Sequence, residues 1–194
     1  MENILKNNSW METIQEHVST IKMSESLEDV VHKSIGIMVD TLKSGGKIIF
    51  AGNGGSAADA QHLTAEFIGR FKRERPSLPS IALTVDSSIL TCIGNDYGFD
   101  SIFSRQIQGI GNMNDTFVAI TTSGNSANII NAVREANRRG IKTLCLTGKD
   151  GGKIKGLADI DIIVPSNVTA RIQETHILIG HYFCEQIENK LGYE

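Results

Sequence analysis

Five short apolar runs alternate with helical stretches along this chain, and that alternation leaves few folds open. The runs cover residues 47–51, 80–84, 116–120, 143–147 and 160–164. Each is bounded by turn residues and is apolar at nearly every position, so the five read as strands buried on both faces. Between them, residues 57–67, 101–109 and 127–138 carry helical spacing, and a longer helix runs from about residue 170 to 190. A strand that rejoins its sheet through a helix runs parallel to the one before it. The expected fold is therefore α/β, a doubly wound parallel sheet with helices on both faces.

Ahead of the first strand, Leu27, Val30, Val31, Ile35, Met38, Val39 and Leu42 recur at three- and four-residue steps, and Gly45-Gly46 supplies a stop. Residues 1–44 thus read as an N-terminal helical extension that caps the sheet or packs on a second subunit. With 3 prolines in all, and with no repeat or low-complexity linker, residues 1–194 read as one domain. A chain of this length buries about 70% of the surface it exposes when unfolded. No apolar run approaches the ~20 residues of a membrane span. The opening Met1-Glu2-Asn3-Ile4-Leu5-Lys6 lacks a basic segment followed by an apolar one, so the expected location is the cytoplasm. Cys92, Cys145 and Cys184 are odd in number and widely spaced, which reads as buried reduced thiols. A net charge of -3 offers nucleic acid no electrostatic footprint.

Two polar loops follow strands. Gly52-Asn53-Gly54-Gly55-Ser56 leads into Ala57-Ala58-Asp59-Ala60-Gln61-His62; its glycines let the backbone approach a ligand, and a helix N-terminus favours an anion. Gly52, Gly54 and Ala57 satisfy the dinucleotide-binding glycine spacing, yet the acidic residue that motif needs about 20 positions on would fall before the second strand begins. The second loop, Thr121-Thr122-Ser123-Gly124-Asn125-Ser126, lacks the Gly-Lys-Ser/Thr ending of a nucleotide P-loop. A helix cap needs one hydroxyl and this loop has several, which favours a phosphate cradle built on Ser123, Ser126 and nearby amides. In a 2-1-3-4-5 strand order both loops flank the topological switch point, and one ligand reaches both.

Groups able to move protons stand nearby. His62 and Glu66, four apart on a helix, share a face and are compatible with either a surface pair or two ligands of one metal. His176 and His181 lie on the last helix, while His17 and His32 belong to the N-terminal helices. The basic run Lys72-Arg73-Glu74-Arg75 reads as a solvated or subunit-facing stretch. No nucleophile elbow or Cys/His signature supports hydrolysis.

Four collinear segments carry a resemblance: residues 51–62, Ile93-Gly94-Asn95-Asp96-Tyr97-Gly98, Thr122-Ser123-Gly124-Asn125-Ser126, and Ala170-Arg171-Ile172-Gln173-Glu174 with His176 and His181. Together they resemble the phosphoheptose isomerase branch of the sugar isomerase (SIS) superfamily. The resemblance implies a flavodoxin-like sheet, a homotetramer, one zinc ion per site and conversion of sedoheptulose 7-phosphate to D-glycero-D-manno-heptose 7-phosphate, the first step towards nucleotide-activated heptose for surface polysaccharide. His62, Glu66, Gln173 and His181 would be zinc ligands, with Glu66 also the catalytic base and His181 its acid/base partner. Asn53, Gly54, Gly55, Asn95 and Asp96 would touch the sugar, as would Glu66 and Gln173. Thr121, Thr122, Ser123 and Ser126 would hold the phosphate. Thr121 replaces a serine of other members and Ala170 an aspartate, which bears on substrate preference rather than reaction class. A replication-initiation regulator of the same superfamily shares the 73–79 and 171–174 segments but lacks the equivalents of Glu66 and His181. A helix carrying both Gln173 and His181 spaces them by about 12 Å of rise, so either the helix starts after Gln173 or the site combines residues of more than one subunit.

Overall fold

A computed structural model describes residues 9–193. The opening residues on which the expectation about a secretory leader rests lie outside them. Strands β1 (Ile48–Gly52), β2 (Ser80–Ala82), β3 (Thr116–Ile120), β4 (Lys142–Gly148) and β5 (Ile160–Val164) form a five-stranded sheet in the order β2-β1-β3-β4-β5. Every strand pairing is parallel. The register sets Gly52 beside Ile120, so the loops that leave β1 and β3 emerge next to each other.

Successive side chains of a strand point to opposite faces, and β1 shows the division. Ile48 and Phe50 join a core with α2 (Glu28–Lys43), α3 (Gly55–Ile68) and α7 (Thr169–Lys190). Ile49 and Ala51 join a second core with α5 (Ser104–Ile110) and α6 (Ala127–Arg138). This is the expected flavodoxin-like three-layer arrangement.

The N-terminal region consists of two helices. In α1 (Trp10–Met23) the Ser9 hydroxyl accepts from the Glu12 N–H at 3.2 Å while Glu12 accepts from the Ser9 N–H at 2.6 Å, a reciprocal cap that fixes the start. A 3₁₀ turn, Ser24–Leu27, joins it to α2, whose Ile35, Met38 and Val39 complete the first core. Helix α4 (Ser87–Tyr97) has no counterpart among the expected helices. Asp86 caps it; Leu90 and Ile93 are partly buried against the second core, but no residue of the helix is fully buried. The expected 101–109 helix begins later, after a 3₁₀ turn at Phe99–Ser101. Cys145 and Cys184 are buried free thiols, whereas Cys92 is exposed on α4, against expectation. Among the described residues no helix is long and apolar enough to cross a membrane.

Candidate active site

At the β1/β3 switch point the two loops are tied together by a pair of amides. Asn53 Nδ2 donates to Asn128 Oδ1 and Asn128 Nδ2 donates to Asn53 Oδ1, both at 2.9 Å. Beside them lies a polar recess of about 150 Å³ lined by Asn53, Ser56, Thr121, Thr122, Ser123, Ser126 and Gln173. Ser126 occupies the N-cap of α6 yet makes no side-chain cap bond. Its hydroxyl instead lies 3.5 Å from that of Thr121, which leaves the N–H groups of the first turn of α6 available to an anion. A larger hollow at the opposite end of the sheet, lined by Lys47, Pro79, Asp115 and Arg138, holds none of the expected residues; ligands of open α/β sheets bind at the carboxyl ends of the strands.

The recess is shaped by glycines that no other residue could replace cheaply. Gly124 has φ +65°, and a Cβ there would run into the Gly151 carbonyl. Gly152, at φ +60°, faces the Ser123 carbonyl in the same way. The 149–156 segment therefore backs the hydroxyl loop directly, backbone against backbone, with Ile154 N donating to Gly124 O at 3.0 Å.

Helices α3 and α7 run side by side in the same direction from the recess. The Gln173 amide lies over Gly55, 2.5 Å from where a Cβ would stand, and Leu63 fills the space that Gly180 leaves without a side chain. One residue further, His181 Nε2 meets His62 Nε2 at 2.9 Å. Glu66 Oε1 lies 3.4 Å from His62 Nε2. Ligand atoms of His62, Glu66 and His181 all fall within 4.8 Å of one another. Two imidazole nitrogens and a carboxylate oxygen at that spacing are a donor set suited to zinc. Asp59, one turn before His62, has its carboxyl raised by burial, with the charge of His62 opposing. Behind the cluster, burial and then the carboxylates of Glu66 and Glu188 push the Cys184 thiol up to about 12, so it stays protonated and supplies no thiolate.

Of the two alternatives for Gln173, the late helix start is excluded. α7 begins at Thr169, so Gln173 is helical and no late start brings it closer to His181. Glu66 and His181 meet within a single chain, so no partition of these two between subunits is required. Asn95 and Asp96 stand apart from both groups: they lie on exposed α4, where Asn95 Nδ2 donates to Asp96 Oδ1 at 2.8 Å.

Residues 9–148 match the SIS domain family. The phosphoheptose isomerase of Aliarcobacter butzleri is 53% identical over 178 residues, 91% of this chain and 94% of that protein. The structure of the Neisseria gonorrhoeae phosphoheptose isomerase superposes with a TM-score of 0.85 at 44% identity, covering 91% of this chain and 95% of that one. For the Francisella tularensis phosphoheptose isomerase the TM-score is 0.87 at 41% identity, with 97% and 100% covered. The chain belongs to the phosphoheptose isomerase family. Phosphoheptose isomerase chemistry needs a base, a proton donor and a phosphate grip; Glu66 and His181, candidates for the first two, stand on α3 and α7, and the candidate grip is the hydroxyl loop between β3 and α6.

Several residues that line or back the site were given no individual role by the sequence. Asn128 is one position in the first turn of α6, and only its reciprocal bond to Asn53 marks it. Ser56 is buried at the floor of the recess. Phe71 stacks on His181 with ring centroids 5.4 Å apart and planes 26° from parallel. Arg75, expected in a solvated or subunit-facing stretch, is instead 1% exposed within its own chain and pairs with Glu188 at 2.8 Å.

Proposed function

We propose that this protein interconverts sedoheptulose 7-phosphate and D-glycero-D-manno-heptose 7-phosphate, with the residues described above in defined roles. The observation that carries the reading is the meeting of Glu66 and His181 on two helices whose other ends open on a hydroxyl-lined recess. Thr121, Thr122, Ser123 and Ser126 hold the phosphate, and Asn53, Gly54, Gly55 and Gln173 contact the sugar. Glu66 removes a proton from C1 of the ketose, and a proton is returned to C2 after passage through an enediol. In the same interconversion the C1 hydroxyl loses a proton and the C2 oxygen gains one, the exchange assigned to His181. Holding the phosphate remotely orients a flexible chain for these transfers. His62, Glu66 and His181 would hold zinc, which when bound would polarise the carbonyl and stabilise negative oxygen. Gln173 lies about 12 Å back along α7 in the same chain, so as a fourth donor it would come from a neighbouring subunit.

We read residues 1–194 as one SIS domain with 1–44 as its helical extension, acting in the cytoplasm at the start of nucleotide-activated heptose synthesis for surface polysaccharide. We further read the assembly as a homotetramer with shared sites. Support for sharing comes from α4 and its flanks, where no helix residue is fully buried and Val85, Tyr97 and Phe99 are more than half exposed; Asn95 and Asp96 would then serve a neighbouring site. Turnover in heavy water, followed by NMR, tests the reaction. Solvent deuterium should enter the sugar carbon beside the carbonyl as the aldose forms, and a zinc-loaded protein showing neither turnover nor exchange would refute it.

A further inference from the structure

The carboxylate of Glu188 and the guanidinium of Arg75 are 2% and 1% exposed, and no role in binding or proton transfer uses either. Glu188 lies on α7 seven residues beyond His181. It accepts the backbone N–H groups of Phe71, Lys72 and Arg73, each at 3.0 Å, and Arg75 Nε at 2.8 Å. The guanidinium continues to the end of α3. Its Nη2 donates to the carbonyl of Glu66 itself at 2.7 Å, and Nη1 donates to Phe67 O at 2.9 Å and Pro76 O at 3.1 Å. The last carbonyls of a helix have no partner within it, so Arg75 both closes α3 and bolts its final turn to α7. Burial alone would raise the Glu188 carboxyl, but the three N–H groups and Arg75 outweigh it and hold the group below the ordinary glutamate range.

Two reacting residues depend on this joint. The turn clamped by Arg75 carries Glu66. The peptide held by Glu188 carries Phe71, whose ring backs His181. A buried ion pair is weak evidence for stability, because well-packed apolar residues often replace one without loss. Its distinctive contribution is directional, since a carboxylate with four fixed donors and a guanidinium with fixed acceptors admit one arrangement of the elements they join.

We propose that Arg75 and Glu188 are positioning residues that set Glu66 against His181, by fixing the last turn of α3 on α7 and seating Phe71 on the His181 ring. The proposal rests on the assignment of Glu66 and His181 as the proton-transfer and metal-holding pair. Replacing the ion pair by apolar residues in the full-length protein, Arg75→Met with Glu188→Leu, separates positioning from stability. Phe71→Leu is the second variant, which leaves the ion pair in place and removes only the ring.

For each folded variant, zinc affinity is measured by competition with a chromophoric chelator, the cobalt-substituted protein gives a visible spectrum, and kcat and KM are measured separately. Positioning predicts zinc binding weakened about 10–100-fold, as when other groups that orient metal ligands are lost. It also predicts an altered cobalt spectrum and a kcat reduced at least about 10-fold with KM nearly unchanged. Wild-type zinc affinity, spectrum and kcat in both variants would overturn the proposal. Should the double variant fail to fold, the same readouts on Phe71→Leu decide. If the wild-type protein itself binds no zinc, the metal assignment fails by itself and the split between kcat and KM remains the test of positioning.

Discussion

The Nε2 atoms of His62 and His181 face each other at 2.9 Å across the seam between α3 and α7. At that distance one ring N–H donates to the other ring's lone pair, and the proposed zinc would take the place of that shared hydrogen. Substituting His62→Gln should therefore lower bound zinc, read by elemental analysis. The side chain is 48% exposed, so the unfolding free energy should stay within about 0.5 kcal/mol. Full metal content in the variant would show that His62 is not a ligand.

Glu66→Gln keeps shape and removes the base. The expected loss is about 10²–10⁴-fold in kcat with little change in KM, accompanied by loss of solvent deuterium incorporation. Because Glu66 and His181 share one chain, co-expressing Glu66→Gln with His181→Gln should restore no activity in mixed oligomers. Recovery would mean that working sites draw the two residues from different subunits.

Gly180 sets how closely the two helices approach. A Cβ there would stand 2.5 Å from Leu63 Cδ2 and 2.7 Å from Cδ1. Gly180→Ala should cost about 1–3 kcal/mol by overpacking and weaken zinc binding by spreading His62 from His181. Truncating the obstacle in the same chain, Leu63→Ala, should recover part of the metal affinity. Additive losses in that double-mutant cycle would contradict direct coupling.

Gly124→Ala tests the recess. Its φ of +65° and the Gly151 carbonyl behind it both oppose a side chain, so the hydroxyl loop must shift. The expected result is a KM raised roughly 10-fold or more for the phosphorylated sugar, with kcat at saturation less affected. An unchanged KM would remove this loop from the phosphate site.

His176 makes stability depend on pH. Burial lowers it from 6.5 to about 4, against the opposing bond to the Thr147 carbonyl, 2.9 Å from Nε2. The bond requires hydrogen on Nε2, while buried Nδ1 has no partner among the described residues. Below pH 6.5 the unfolded chain gains a proton that the folded one refuses, so stability falls as pH drops from 6.5 to about 4 and this contribution levels off below. The full loss from this group is about 3 kcal/mol. Unfolding measured across that range, with the His176 ring followed by NMR, checks it; a ring titrating near its ordinary value in the folded protein would contradict the prediction.

The sheet was legible because buried parallel strands need continuous apolar runs, and 116–120 and 160–164 coincide with β3 and β5. The loops and the His62 and Glu66 pair were legible from residue type and spacing, whereas His181 joined them only through the family resemblance. Helix α4 was missed although Ile89, Leu90, Ile93 and Tyr97 fall at helical steps: the stripe is short, is interrupted by Gly94, and only Leu90 and Ile93 pack on the core. Arg75 was misread for a related reason: a basic residue in a charged run resembles solvated surface, and its partner lies 113 positions away. Local pattern carries no information about that pairing. The alternatives for Gln173 also turned on a point beyond spacing, the placement of the α7 start at Thr169.

Parallel travel of α3 and α7 turns the site into a gauge of substrate length. One end of the gauge is the anion recess beside Gln173 and the other is the meeting of His62, Glu66 and His181, about 12 Å further along the α7 axis. An open seven-carbon phosphate stretches far enough to occupy both ends, whereas a three-carbon one anchored by its phosphate would leave its carbonyl out of reach of Glu66. Selectivity of this kind would come from the rise of two backbones, in addition to the contacts proposed along the sugar. It should tolerate exchange of single lining residues and yield only to insertion or deletion of a helical turn, about 5.4 Å at a time.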